Sequence, residues 1–334
     1  MKRIAVHSGS FHLDDALSCY MIKLLPEYKN HTIIRTRDET EINESDIVVD
    51  VGGIHDHEKK RYDHHQKGFK ETYSSEFKTI LCGAGLIYKH YGREILIEIL
   101  DLQKEEINEY NFKLLQTKVY RDFVEGVDGT DNGIPKFDTE VEQNYSSVNC
   151  LPNRIKRLNP SWREPEISSD SIFPQAIELA GKEFVDFVKY LWKSWIPAVD
   201  ILHNTIQKTL EQDPKSQILE LPSPMPFLEH LYREEKELEI PGQFKYVIFQ
   251  STRPNKQGLK EWITRAVSKV NEPFVNRLSL HEDWRGLRNE ELQNISKIEG
   301  AVFVHSSGFL GASKNHKSAL ELATKSIEMN SNDK

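Results

Sequence analysis

His7-Ser8-Gly9-Ser10-Phe11-His12-Leu13-Asp14-Asp15 follows the apolar run Ile4-Ala5-Val6 and leads straight into a helical pattern from Ala16 to Leu25. A short apolar run that stops at polar residues reads as a strand buried on both faces, as in a parallel sheet. Two more runs have the same form: Ile33-Ile34 before Arg35, and Ile47-Val48-Val49 before Asp50. Helical periodicity lies between or after them, over Ala84 to Tyr91 and through Phe112, Leu115, Val119 and Phe123. Strands alternating with helices predict an α/β fold, a doubly wound and mainly parallel sheet.

The rest of the 334 residues bounds the answer from outside. Length sets a prior of two domains. No stretch approaches the roughly 18 to 20 apolar residues that span a bilayer, so no membrane partner is expected. Lys and Arg total 44 against 52 Asp and Glu, a formal charge of -8. That balance argues against a bulk phosphate-clamping surface, yet a buried metal centre can supply positive charge locally. The cysteines Cys19, Cys82 and Cys150 are odd in number and widely spaced, which fits a reducing compartment. Met1-Lys2-Arg3 runs almost directly into the first strand, so the expected location is cytoplasm or nucleus rather than mitochondrion.

From Val141 to Asp170 no clean period exists, and this long connection carries Arg154, Arg157, Asn159 and Trp162. Connections of that length often have a function. A helical stretch through Phe184, Phe187, Val188, Leu191, Trp192 and Trp195 follows, its aromatic stripe expected in the core, with Pro197 kinking or ending it. After Lys215 the pattern changes to strands at Ile218 to Leu221, Tyr246 to Phe249, Ile263 to Val267 and Ala301 to Val304. Helices are expected at Phe227 to Lys236, Glu290 to Ile295 and His316 to Met329, making a second, α+β domain. The expected division is 1–165, a helical connector over 166–213, a domain over 214–330, and a frayed tail over 331–334.

Seven of the 13 histidines, His7, His12, His31, His55, His57, His64 and His65, fall in the first 65 residues. Imidazoles and carboxylates emerge where strands end, and ligands of open α/β sheets bind outside the carboxyl ends of strands. Asp50 closes one such strand, and Asp63-His64-His65 follows it across a loop containing Gly52 and Gly53. Mixed imidazole and carboxylate donors suit divalent metals, manganese above all when carboxylates are numerous. Two adjacent ions need a bridging carboxylate, a role that Asp50 suits. Each piece has a plainer alternative: Asp14 as the cap of the helix starting near Ala16, and Asp128-Gly-Thr-Asp131-Asn132-Gly133 as turn chemistry with one carboxylate inward. His55 and His57 are read as solvated, and His31 as unremarkable.

The Asp63-His64-His65 motif, with an upstream His/Asp motif, a strand-terminal Asp and a later Asp motif, resembles the DHH phosphoesterase superfamily of RecJ-type exonucleases, nano-RNases and manganese pyrophosphatases. The resemblance is closer to one branch, the melanocyte-proliferating-gene (MYG-type) exonuclease family. It rests on the opening motif from His7 to Asp15, on Asp50-Val-Gly-Gly, Arg61-Tyr-Asp63-His64-His65-Gln-Lys-Gly-Phe, Ala84-Gly-Leu-Ile-Tyr-Lys-His-Tyr-Gly92 and Val127-Asp128-Gly-Thr-Asp131-Asn-Gly. Arg157-Leu-Asn159-Pro-Ser-Trp162, Trp284-Arg285-Gly-Leu-Arg288 and Phe303-Val-His305-Ser-Ser-Gly308-Phe-Leu-Gly311 extend it over nearly the whole chain. Departures are modest: Ser8 stands where the family usually has Asn, Leu13 where Cys is common, Asp15 where Glu is common, and Cys82-Gly83 where small Ser residues are common.

The resemblance implies that His7, His12 and Asp14 form the first metal motif, that Asp50 bridges the metals and that His64 binds one of them. Asp128 and Asp131 compete for the last ligand position. His65 faces the phosphate and counts with Asp50 and Asp15 as catalytic. In the second domain Arg285 and Arg288 offer bidentate phosphate contacts, while His305 and the amides of Ser306-Ser307-Gly308 offer an anion site. That domain, DHH-associated in type, would close over the first and grip the substrate end. The implied activity is a two-metal phosphodiesterase, a 3′-to-5′ exonuclease on RNA or other single-stranded nucleic acid, using Mn2+ or Mg2+. A small-molecule phosphohydrolase for pyrophosphate or a dinucleotide, and a catalytically silent metal-binding adaptor, are the alternatives. Phe11, Tyr62, Phe69 and Trp162 are either base-stacking groups or core, and oligomeric state is left open.

Overall fold

Buried apolar strands dictate the first layer of the computed structural model, which describes all residues except 104, 106, 138–146, 256–257 and 333–334. The chain forms two units, Met1–Lys193 and Ser194–Lys334. In the first, β1 (Lys2–Val6), β2 (His31–Arg35), β3 (Ile47–Val49) and β5 (Arg61–Tyr62) run parallel, and β4 (His55–Asp56) is an antiparallel edge, in the order β2-β1-β3-β5-β4.

Alternation along each strand covers the two faces with different helices. Ala5 and Val48 pack with Val51 and with Ile42 of α2 (Glu39–Asn43) on one face. On the other face a Cβ at Gly83 would touch Val49, so α3 (Gly83–Leu100) lies against that side, packed on α1 (Leu13–Leu24). This is the doubly wound arrangement expected from the alternation of strands and helices. α4 (Glu109–Val119) runs through a π-helical turn, Tyr120–Val124, into α5 (Glu125–Asp131), and α6 (Leu151–Lys156) lies within the long connection. Residues 138–146, where that connection begins, lie outside the described residues.

The stretch expected as a separate connector over 166–213 divides between the units. α7 (Ser169–Tyr190) packs on α1 and α3, because its apolar face, Phe173, Ile177 and Phe184, needs their cover. α8 (Ile196–Gln212) sinks Leu202 and Ile206 into a second core with Leu219, Phe227, Leu231 and Phe244.

The second unit is built on a sheet of order β11-β12-β8-β7-β6. β6 (Ile218–Glu220) runs parallel to β7 (Tyr246–Gln250), and β8 (Trp262–Ala266), β12 (Leu310–Ser313) and β11 (Ala301–Val304) follow antiparallel. α9 (Leu228–Glu237), α10 (Asn289–Ser296) and α11 (His316–Asn332) match the expected helices. Two features were invisible in the sequence. The hairpin of β9 (Ser268–Lys269) and β10 (Glu272–Asn276) has an exposed Phe274 and no buried face to generate a period. β12 is made of small residues because a Cβ at Gly311 would press on Leu280 and Leu322, at 3.0 and 3.1 Å. α11 continues two residues into the expected tail, helped by Asn330 Nδ2 donating to the Ser326 carbonyl at 2.6 Å. Among the described residues no helix is long and apolar enough to cross a membrane.

Candidate metal centre

The loop after β1 is held in place from two distant parts of the chain. Arg35, at the end of β2, donates from Nη2 to the Gly9 carbonyl at 2.7 Å and from Nη1 to Asp170 at 2.6 Å. Asn159 clamps Phe11 on both sides, accepting from its N–H and donating to its carbonyl, each at 2.9 Å. His7 is thereby presented at the strand end, with Nδ1 3.2 Å from the Ser8 carbonyl. A proton on Nδ1 leaves the Nε2 lone pair facing Asp15 Oδ2 at 3.2 Å and Asp50 Oδ2 at 3.4 Å. Asn159→Ala removes both hydrogen bonds to Phe11, each worth about 1 kcal/mol net, and a third to the Lys156 carbonyl at 3.2 Å. We expect divalent-cation binding to weaken by up to about thirtyfold on the scale of the two Phe11 bonds, read by calorimetric Mn2+ titration against wild type.

Asp50 closes β3 with φ +55, a left-handed conformation that costs a non-glycine residue about 1 kcal/mol or more. Its N–H donates to the Tyr62 carbonyl at 3.0 Å, and its buried carboxylate spans the centre. Oδ2 faces His7, while Oδ1 lies 3.6 Å from His64 Nε2 and 3.5 Å from His65 Nδ1. Asp131 Oδ2 approaches His64 Nε2 at 3.2 Å, and Asn132 Oδ1 meets the other ring nitrogen at 3.2 Å. Burial works against the His64 imidazolium, but Asp131, Asp50 and Asp14 outweigh it and raise the group to about 11. His7 is likewise raised: Asp15 and Asp50 overcome its burial. Burial, reinforced by Asp131 and Asp15, raises Asp50 in spite of the two histidines.

Three buried atoms, Asp15 Oδ2, Asp50 Oδ1 and His64 Nε2, make no hydrogen bond although opposite partners stand within 3.6 Å. The groups are aimed at shared points between them rather than at one another. Desolvated acceptors cost free energy unless something pairs with them, and a donor set of imidazole nitrogen and carboxylate oxygen fits divalent cations. Asp50, Asp63, His64 and His65 also offer ligand atoms within 4.8 Å of one another, as do Asp14, Cys82 and Asp131.

Asp15, rather than Asp14, serves the start of α1, its Oδ1 accepting from the N–H of His12 at 2.8 Å and of Ala16 at 2.9 Å. Asp14 reaches across to the start of α3 and accepts from Gly83 N–H at 3.1 Å and from Ala84 N–H. Burial, then the charges of Asp50 and Asp131, push Asp14 well up. His12 is exposed at the mouth, its ring 6.0 Å from that of His7, and so stands apart from the tight cluster.

Of the two carboxylates left open by the sequence, Asp131 faces the cluster and Asp128 does not. Asp128 is fully buried and spent: Oδ1 accepts from Cys82 N–H at 2.9 Å and Sγ at 3.0 Å, and Oδ2 from the Tyr120 hydroxyl at 2.8 Å. Burial raises Asp128 to about 6 against the opposing hydrogen bonds from Cys82 and Tyr120. A carboxyl raised on folding gives stability that is complete below its unfolded value and is lost as pH climbs through the folded one. Between pH 4 and 6 the chelated wild type should therefore lose stability relative to Asp128→Asn, by up to about 1.4 kcal/mol per pH unit, the limit for one proton. Paired denaturant melts across that window check it; parallel pH profiles would refute it.

His65 is the exposed member, its side chain 63% accessible. Asp63 fixes it, accepting from its N–H at 3.0 Å and from Nδ1 at 2.8 Å, while its other oxygen accepts from Gly53 N–H at 2.5 Å. A cleft of about 810 Å³ opens in front, lined by His7, Arg37, Asp50, His65 and Asp131 among others. A smaller cavity of about 320 Å³ lies beside it, and His12 and Asp131 line both. Arg37, Lys156, Asn159 and Asp63 escaped the sequence-based set of site residues. The strand-end position of Arg37 and the adjacency of Asp63 were available signals; the contacts of Lys156 and Asn159 were not. Among the described residues neither cavity has Phe, Tyr or Trp in its lining, and Phe11 and Tyr62 are fully buried. Trp162 is 86% exposed, and Phe69 packs edge-on against His55.

Within the second unit the expected phosphate contacts are largely engaged already. Arg285 donates from Nε to the Leu280 carbonyl at 2.9 Å, and the Arg288 guanidinium lies 4.2 Å over the Phe303 ring. Trp284 is core. Past His305 the chain turns through Ser306 to Gly308, where φ is +68 and a Cβ would meet Arg285 Nε at 2.9 Å, so glycine is required. Two of the amides expected to face an anion are used inside the turn: Ser307 N–H donates to His305 Nδ1 at 3.1 Å and Gly308 N–H to the His305 carbonyl at 2.8 Å. The thiols of Cys19 and Cys82 are buried and pushed well up by that burial, whereas Cys150 is exposed at the N-terminal cap of α6.

Comparison with known proteins brings a family into view. The family model MYG1_exonuc, described as an uncharacterised protein family (UPF0160), matches residues 3–327. The MYG1 protein of Dictyostelium discoideum is 40% identical over 328 residues, covering 97% of this chain and 96% of its own. The MYG1 exonuclease of Bos taurus is 40% identical over 327 residues, covering 96% and 83%, and that of Homo sapiens is 38% identical over 335 residues, covering 98% and 86%. A crystal structure of RecJ with Mn2+ from Thermus thermophilus aligns at 13% identity over 98% of this chain, which spans about half (52%) of that one. The TM-score is 0.27, too low to carry weight.

Proposed function

The chain belongs to the MYG1 exonuclease family, and on that premise we propose that it is a metal-dependent phosphodiesterase, a 3′-to-5′ exonuclease acting on RNA or other single-stranded nucleic acid. The observation that carries the chemistry is the convergence of His7, Asp50, His64 and Asp131 around buried acceptor atoms that lack hydrogen bonds. Two divalent cations, Mn2+ or Mg2+, would be held by these residues with Asp14 and His12 beside them, Asp50 between, and when bound they supply Lewis acidity toward water and phosphate.

The remaining steps belong to the chain. Asp15 ties the first turn of α1 to the centre: Oδ1 accepts from the His12 N–H while Oδ2 faces His7 Nε2 across 3.2 Å. Asp63 keeps the His65 ring at the cleft, so that in its imidazolium form Nε2–H donates to a phosphate oxygen and steadies the charge that develops there. Arg37 lies on the same cleft and adds a second cation for the phosphate backbone. In the second unit Arg285, Arg288, His305, Ser306 and Gly308 are proposed to grip the substrate end, with Arg288 and Ser306 the more available of them.

One observation favours a second reading, a hydrolase for pyrophosphate or a dinucleotide: among the described residues neither cavity carries an aromatic platform on which bases would stack. A time course on 5′-labelled single-stranded RNA with added Mn2+, Mg2+ or chelator separates the two. We expect a metal-dependent ladder shortening from the 3′ end. Intact RNA beside rapid phosphate release from pyrophosphate, or scission of a dinucleotide, transfers the assignment to the small substrate. Silence on all three leaves a metal-binding adaptor.

A further inference from the structure

Of the two loop histidines expected to be solvated, His57 is exposed, while His55 is half-buried and joins a second cluster built from residues the centre above does not use. His55 sits on the edge strand β4, Glu71 on the segment between β5 and α3, and His90 on α3. His55 Nδ1 lies 2.9 Å from Glu71 Oε2, and the other Glu71 oxygen accepts from Lys89 Nζ at 2.7 Å. A carboxylate can only accept, so Nδ1 carries the proton and the Nε2 lone pair of His55 is left facing His90. The two Nε2 atoms are 3.3 Å apart. His57 stacks on His90 with ring centroids 4.0 Å apart and planes at 11°. Its Nδ1 is 2.7 Å from the Tyr62 hydroxyl, which itself donates to Tyr91 at 2.7 Å, so His57 Nδ1 is the donor and this ring too is held.

We propose that His55 and His90, with Glu71 orienting the first, form a nitrogen-donor site for a borderline transition-metal cation, zinc by preference, distinct in residues and in ligand type from the carboxylate-rich centre. The separation of the two nitrogens is the geometric warrant. Zinc takes imidazole nitrogen at about 2.0 to 2.1 Å in a tetrahedron, which sets neighbouring nitrogens roughly 3.3 to 3.4 Å apart. The His55–His90 pair already stands at that edge length. The Glu71–His55 bond is the carboxylate–histidine arrangement that fixes the tautomer of metal-ligating imidazoles and raises their basicity. Without metal, the His55–His90 contact is an N–H···N hydrogen bond. His55, Glu71 and His90 are each partly exposed, which leaves a cation a way in. Ligand type divides the metals: imidazole suits zinc, copper or nickel, and carboxylate and water suit manganese or magnesium. A cation here would staple the sheet edge and the 66–81 segment to α3.

The test is zinc stoichiometry of the chelator-stripped full chain, read by competition with a chromophoric chelator. Alongside wild type it uses His55→Gln, His90→Gln and Glu71→Gln, and the pair Asp50→Asn/His64→Gln, which disables the first centre. We expect the Asp50→Asn/His64→Gln protein to keep one equivalent of zinc, and that equivalent to vanish when His90→Gln or His55→Gln is added. Glu71→Gln should weaken it about 10- to 100-fold, the usual cost of removing such an orienting partner. Cobalt loaded into the Asp50→Asn/His64→Gln protein should give the intense visible bands of tetrahedral coordination, absent after His90→Gln. Equal zinc stoichiometry with and without His55 and His90, in variants that melt cooperatively, overturns the proposal and leaves a hydrogen-bonded imidazole pair. If His90→Gln fails to fold, His55→Gln on the edge strand decides alone. These readouts do not depend on hydrolysis, so the proposed exonuclease can fail without affecting them.

Discussion

Asp50→Asn should leave a folded protein whose metal-dependent hydrolysis falls by at least about a thousandfold, roughly 4 kcal/mol of transition-state stabilisation. Asparagine tolerates the left-handed backbone that residue 50 adopts, so φ +55 survives the change. The charge does not. Asp50 is the carboxylate that faces His7 on one side and His64 and His65 on the other, and among the described residues no neighbour is placed to replace it. The same substitution should raise the melting temperature of the chelated protein. It removes a buried carboxylate that Asp14, Asp15 and Asp131 repel, and strained or repulsive functional groups are retained at the expense of stability. Rates at saturating Mn2+ and circular-dichroism melts in chelator measure both halves. A variant within tenfold of the wild-type rate removes Asp50 from the centre of the proposed mechanism.

Gly85→Ala should be strongly destabilising. Alanine normally favours a helix interior over glycine by about 1 kcal/mol. Here the added Cβ would stand 2.1 Å from Asp128 Oδ1 and 2.6 Å from Oδ2, far inside contact distance. The carboxylate cannot swing aside without abandoning the Cys82 amide, the Cys82 thiol and the Tyr120 hydroxyl in a fully buried place. Leaving such groups unpaired costs about 1 to 3 kcal/mol each, so the clash exceeds the helix gain. We expect about 3 kcal/mol or more of lost stability, or roughly 6 to 12 °C in Tm for a unit of this size. Gly85→Ala/Asp128→Ala should recover part of that loss, because the two residues share one space. A Gly85→Ala protein melting within about 2 °C of wild type would contradict this packing.

What could be read from the sequence was what local pattern encodes. Ile4-Ala5-Val6 and Ile47-Val48-Val49 are buried on both faces, and each stops at a side chain that reaches the centre, His7 or Asp50. β4 and β5 are too short, at two residues each, to show any period. Asp14 looked like the cap of its own helix because only local spacing is visible in a sequence; its partners are the amides of residues 83 and 84. Asn159 is 148 positions from Phe11, and nothing in either segment announces the other. The loop holding His55 and His57 looked solvated from its Gly and Lys content; His57 is exposed, but α3 brings His90 and Tyr91 against it and leaves His55 half-buried. Asp128 and Asp131 sit one helical turn apart on α5, and Asp128 is buried against a glycine of a different helix that the local sequence does not show.

The cysteines also give the molecule a built-in point of observation. With Cys19 and Cys82 sealed in the interior and Cys150 open to solvent, a maleimide fluorophore added to the native chain should attach at Cys150 alone. The dye would sit on the residue that caps α6, whose Pro152, Asn153 and Lys156 line the smaller cavity with His12 and Asp131. Its emission would then follow the arrival and departure of ligands at that wall in real time, with no mutation and without waiting for a bond to break.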